Sequence, residues 1–145
     1  MVPSLVRRTL AALALTLAAC STSTLSGMHL DITPDKPQYA AGSPAMVTIR
    51  NVGDETVRYS FCAAEIQRQT PSGWVTESAE LVSCTRIGLE LAPGASATGR
   101  VDLPASLPAG TYRVYFPGIG DPVDGEAAAD LQSRKSSKPF TVTAG

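Results

Sequence analysis

The chain has 145 residues, twelve of them basic and thirteen acidic, for a formal net charge of −1. That length fits one domain, and the scattered charges form no basic stripe of the kind a nucleic-acid reader shows, so no nucleic-acid partner is expected. Twelve glycines and eleven prolines are spread along the sequence, which suits short strands joined by turns rather than long helices.

At the N-terminus, Arg7 and Arg8 precede Leu10–Ala19, a run that is apolar apart from Thr16 and stops at Cys20. A membrane-crossing helix needs roughly twenty apolar residues. This run is shorter, and polar residues follow it at once, so it reads as a secretory signal rather than a span. A core helix is the alternative. Leu17-Ala18-Ala19-Cys20 resembles the lipobox of bacterial lipoproteins. The resemblance implies that a diacylglyceryl group alkylates the Cys20 thiol and that cleavage removes residues 1–19. Cys20 then becomes the first residue, held in membrane lipid by its acyl chains, palmitate among them; two or more chains anchor stably where one does not. Ser21, rather than Asp, after the cysteine points to the outer membrane in a cell that has one. The Arg7-Arg8 pair also raises twin-arginine export, which the surrounding residues match poorly. Residues 20–27, rich in Ser and Thr, are expected to be a flexible tether, and residues 28–145 the folded domain. Without Arg7 and Arg8, ten basic residues face thirteen acidic ones, a mildly acidic balance.

Beyond the tether the apolar residues recur with period two. Met28, Leu30 and Ile32 alternate with polar neighbours. So do Val47 and Ile49; Val57, Tyr59 and Phe61; Ile87, Leu89 and Leu91; Val101 and Leu103; Tyr112, Val114 and Phe116; and Phe140 and Val142. This pattern predicts strands with one buried and one wet face, and it puts Thr48, Arg50, Arg113 and Tyr115 on the wet side. Asn51-Val52-Gly53-Asp54 reads as a hairpin turn. Pro71-Ser72-Gly73 reads as another, with Trp74 opening the return strand. Ala92-Pro93-Gly94-Ala95 suits a type II turn, and Leu107-Pro108-Ala109-Gly110 leads into the strand of Tyr112. Ala127–Leu131 has room for one helical turn. The expected fold is all-β, an antiparallel sandwich of 7–9 strands.

Three cysteines are odd for an exported chain, but assigning Cys20 to lipid leaves Cys62 and Cys84 as a pair. In an oxidising compartment these are expected to form a disulfide, closing a loop of about twenty residues worth roughly 3 kcal/mol in the chain-entropy model. If Tyr59 and Phe61 face the core, Cys62 starts on the outer face, so the bridge pins residues 78–86 from outside rather than joining the two sheets. A bulge at Ala63-Ala64 would reverse this. The rival reading is a metal or redox site. Zinc wants four ligands at short spacing and redox pairs favour Cys-x-x-Cys, and neither pattern is present.

The stretches VTIRNVGDETVRYSFC, EIQRQTPSGWV, LELAPGASATGRVDLP, LPAGTYRVYF and SKPFTVTAG resemble an immunoglobulin-like bacterial envelope domain. More loosely they resemble the small β-sandwich family named for a bacterial intracellular proteinase inhibitor. The motifs report turns and core positions, so they imply a fold more than an activity.

No nucleophile–base set is legible, so no catalytic residue is assigned and no enzyme activity is expected. His29, the single histidine, reads as a solvated residue. Gly118-Ile119-Gly120 lacks the following helix that a phosphate loop needs, and no cofactor is expected. Asp121, Asp124, Glu126 and Asp130 cluster in DPVDGEAAAD. Oxygen ligands at such spacing can hold calcium, but no EF-hand pattern is present and solvated loop carboxylates are the preferred reading, so no metal site is assigned. Pro117–Lys138 is the longest stretch without strand signals, and long loops on compact domains are either mobile or functional. With Tyr115 beside it, this loop is the expected partner-binding surface. Trp74 is expected to pack in the core, with an exposed aromatic platform as the alternative. The function expected from all this is a lipid-anchored, non-catalytic binding or accessory module of the cell envelope, taking an envelope protein or polysaccharide. The alternative is a proteinase inhibitor that blocks its target through a projecting loop.

Overall fold

A computed structural model describes residues 27–77, 88–119 and 132–144. Among these residues the chain forms ten short strands: β1 (Leu30–Pro34), β2 (Gln38–Ala40), β3 (Pro44–Asn51), β4 (Val57–Tyr59), β5 (Glu65–Thr70), β6 (Gly73–Thr76), β7 (Leu89–Leu91), β8 (Ser96–Asp102), β9 (Gly110–Tyr115) and β10 (Phe140–Thr143). One 3-10 turn, Phe61–Ala63, follows β4. The expected all-β, sandwich-like fold is what forms.

The strands make a three-stranded sheet in the order β1-β3-β8, a five-stranded sheet in the order β2-β10-β9-β5-β6, and a two-stranded ribbon, β4-β7. Their inner faces follow the period-two pattern. In the smaller sheet Ile32 lies opposite Ile49, and Ala45 opposite Val101. In the larger one Ile66 lies opposite Val114, and Phe140 opposite Tyr112. All eight are buried in one apolar cluster shared by both sheets. Each large side chain so buried contributes about 1.5–3 kcal/mol over leaving it in water. Tyr39 and Tyr112 flank Phe140, with ring centroids 5.2 and 6.5 Å away. The Tyr112 hydroxyl donates to the Pro108 carbonyl at 2.6 Å, so the turn before β9 is tied to the strand it launches.

The structure corrects four expectations. The sandwich is not antiparallel throughout, because β2 lies parallel to β10. Asp35 makes this sheet switch: its backbone N–H donates to Met46 of β3, and its carboxylate accepts from the Met46 N–H and the Tyr39 hydroxyl. Second, Asn51-Val52-Gly53-Asp54 is not a hairpin, since β3 pairs with β1 and β8 while β4 pairs with β7. The segment is a corner that carries the chain out of the sheet. Third, Leu89 is half exposed although Leu91 is buried. A two-stranded ribbon buries apolar residues only where it lies on the core, and Leu89 is two residues further from the corner. Fourth, Arg113 sits on the outward-facing side of β9 yet is 7% exposed, because the Trp74 ring covers its guanidinium. Trp74 itself is half-buried there, outside the core cluster.

The Asp35–Tyr39 pair sets a pH dependence. Burial, followed by the bond to Asp35, pushes the Tyr39 hydroxyl up to about 12. Donation from Tyr39 holds the Asp35 carboxyl below its ordinary value. A raised phenol contributes stability below its unfolded value of about 10, and that stability is lost as pH rises through the folded value. A lowered carboxyl contributes above the unfolded value near 4 and loses it as pH falls. Alkaline denaturation followed by circular dichroism should therefore show stability falling between pH 10 and 12, and Tyr39→Phe should flatten that limb. An unchanged limb in the variant would assign the alkaline loss to other groups.

Candidate functional site

The ends of β4 and β9 meet the approach to β7 at one end of the sandwich, and a recess of about 510 Å³ opens between them. Tyr59, Phe116 and Ile119 supply its buried apolar surface, and Arg58, Ser60 and Gly88 join them in lining it. An aromatic run backs the recess. Phe61 meets Tyr59 at 5.6 Å and Phe116 at 5.8 Å, both edge to face, the arrangement aromatic quadrupoles favour. Gly99 of β8 makes this possible: a Cβ there would run into the Phe61 ring.

Backbone ties fix the other wall. After β9 the chain turns at once, with the Ile119 N–H donating to the Phe116 carbonyl at 3.2 Å. The returning segment is stapled back on the strand it left. The Phe116 N–H donates to the Lys135 carbonyl, the Ser137 N–H to the Val114 carbonyl, and the Val114 N–H to Ser137 Oγ. Tyr115 and Ser136 form a single antiparallel bridge. Lys135 is buried, and its Nζ donates to the Pro117 carbonyl at 3.5 Å. The two ends of the predicted Pro117–Lys138 loop are thus held together at its base.

Of the residues expected to bind a partner, Tyr115 is half-buried at that base, paired with Glu65 of β5. Asp121, Asp124, Glu126 and Asp130 lie outside the described residues, as do Cys20, Cys84 and Ala127–Leu131. Cys62 is exposed on the turn after β4. His29 is half-buried just before β1, where its carbonyl accepts from the Val52 and Gly53 N–H groups. Among the described residues no group of three or more His, Cys, Asp or Glu side chains is placed to hold a metal ion, and no helix is long and apolar enough to cross a membrane.

The lining of the recess was not evident in the sequence as a set. It comes from three separated segments that only strand pairing brings together. The end of the strand signals at Pro117 marks one of them, whereas Gly88 falls within the Ile87, Leu89 and Leu91 alternation and carries no turn signal.

No family model matches the chain, and no curated protein matches it. Among solved structures, the yjhA protein from Bacillus subtilis is similar at 17% identity and a TM-score of 0.38, over 85% of this chain and 96% of that one. A β-glucosidase from Listeria innocua, solved with gluconolactone, is similar at 16% identity and a TM-score of 0.36, over 80% of this chain but 16% of its own. The ycdA protein from Bacillus subtilis, described as a candidate lipoprotein, is similar at 12% identity and a TM-score of 0.33, over 81% of this chain and 34% of its own. Likeness of this order says nothing about activity or location.

Proposed function

We propose that this chain is a lipid-anchored binding module of the bacterial cell envelope with an immunoglobulin-like sandwich. The observation that carries the binding role is the recess at the end of the sandwich, an apolar concavity on a stapled frame. Ligand sites are commonly concave, mostly apolar and pre-formed in this way. The immunoglobulin-like reading is supported by the strand order, in which β1, β3 and β8 form one sheet and β10, β9, β5 and β6 continue the other. It is also supported by the Tyr112 bond to Pro108, the counterpart of the tyrosine corner of such domains. The anchor rests on Leu17-Ala18-Ala19-Cys20, and a Cys62–Cys84 bridge on the even count that lipidation of Cys20 leaves.

Intact mass of the protein extracted from the native membrane fraction tests this address. The expected species lacks residues 1–19, carries acyl chains and gains two hydrogens on reduction. Cys20→Ser should release the protein from the membrane fraction. An unprocessed mass with free thiols would overturn both the anchor and the bridge.

A further inference from the structure

A second set of polar groups lies away from the recess, on the outer face of the five-stranded sheet. The register sets Gln67 of β5 opposite Arg113 of β9 and Thr76 of β6 opposite Gln67. Arg113 Nε donates to Gln67 Oε1 at 2.8 Å. Gln67 Nε2 donates to Thr76 Oγ1 at 3.4 Å, and that hydroxyl donates to Glu65 Oε2 at 3.1 Å. The relay fixes the amide so that its oxygen faces the guanidinium. The Trp74 ring covers the guanidinium, with Cζ 4.4 Å from the ring centroid.

This arrangement leaves one group unanswered. Arg113 is more than nine-tenths buried, and its Nη2 has no hydrogen-bond partner. Burial pulls its guanidinium below the ordinary arginine value. A buried cation with no carboxylate on it is costly, and an aromatic face offsets only part of that cost. Arginine's fork is made for two parallel bonds to a carboxylate, yet the fold gives Arg113 a neutral amide on one edge and nothing on Nη2.

We propose that Arg113, Gln67 and Trp74 form a binding site for a carboxylate-bearing saccharide. The sugar carboxylate takes Nη2, and the Trp74 ring turns from the guanidinium to stack on the sugar ring. Trp74 is placed to make that movement. It is half-buried on β6, the edge strand of its sheet, next to the exposed Val75. A saccharide suits the site better than an acidic peptide because the cation is single, with no further basic side chain in the relay, and the groups beside it, Gln67, Thr76 and beyond Thr76 the Glu65 carboxylate, are partners for sugar hydroxyls but would repel a run of peptide carboxylates. The site is separate from the recess and does not depend on the anchor.

Trp74 is the chain's single tryptophan, so its fluorescence reports on this site alone. The full chain in mild detergent is titrated with tetragalacturonate, with maltotetraose as the neutral control and tetra-aspartate as the peptide control. Tetragalacturonate should give a saturable change in Trp74 emission, at an affinity at least tenfold above either control. Arg113→Gln should weaken it roughly tenfold or more, the scale of a charge-assisted pair, measured by calorimetry on protein that melts cooperatively. Equal response to maltotetraose, tighter binding of tetra-aspartate, no saturable change, or Arg113→Gln binding within twofold of the parent would each overturn the proposal. The comparison of three probes on the parent chain needs no variant, so it decides even if Arg113→Gln does not fold.

Discussion

Asn51→Ala should lower the stability of the fold by about 3–4 kcal/mol, more than truncation of any exposed polar residue. The side chain of Asn51 is fully buried at the corner where β3 ends. Its Nδ2 donates to the Glu55 carbonyl at 2.7 Å and the Leu91 carbonyl at 3.0 Å, and its Oδ1 accepts from the Gly53 N–H at 3.1 Å. Its backbone is bonded on both sides as well, to Ala95 and Gly94. One residue therefore holds two chain reversals together, the one from β3 to β4 and the one from β7 to β8. Truncation strands three backbone groups, at about 1–3 kcal/mol for each one left buried without a partner. Urea melts should show a lower midpoint with an unchanged slope. Arg58→Ala is the reference. The Arg58–Glu90 pair is exposed on both sides, and such pairs contribute about 0–1 kcal/mol. Asn51→Asp separates hydrogen bonding from shape. It keeps the acceptor for Gly53 but turns a carboxylate toward two carbonyl oxygens, which raises its folded pKa. That variant should be less stable than the parent at neutral pH and recover as pH falls and the carboxyl is protonated. Equal stability of Asn51→Ala and Arg58→Ala would mean that the corner is held by its backbone bonds alone.

The same residue shows where the sequence stops being informative. Asn-x-Gly-Asp between two apolar runs has the chemistry of a hairpin, and local propensity cannot tell a hairpin from a corner. The difference lies in the carbonyl of Leu91, forty residues away, which the Asn51 amide reaches. Strands were legible wherever alternation ran over several residues, as in β3, β9 and β10. β2 was not, because three residues with Tyr39 alone buried carry almost no period. Nor could alternation find Arg113, since the register that sets it against Gln67 and the hairpin that lays Trp74 over it are both tertiary. For the candidate site, the loss of strand signals at Pro117 marked where the chain leaves β9. Which other segments meet it there depended on pairing across the sheets.

Gly99 and Phe61 give the second large effect, and it bears on the recess directly. Gly99 lies in β8 opposite Val47, and a methyl group on it would occupy space held by the Phe61 ring. Gly99→Ala should cost about 2–3 kcal/mol, the upper part of the range for overfilling a packed site. Phe61→Ala should cost a similar amount by removing two edge-to-face contacts and leaving a void between Tyr59 and Phe116. The two costs have one origin, so they should not add. With the ring gone the methyl group has room, and it fills part of the void. The double variant should therefore be no less stable than Phe61→Ala alone, a coupling of about 2 kcal/mol in a double-mutant cycle read by denaturant melts. Additive losses would mean that Phe61 does not lie on Gly99. In that case the ring would be free to occupy the recess, and the concavity bounded by Tyr59, Phe116 and Ile119 would be filled by the protein itself instead of open to a ligand.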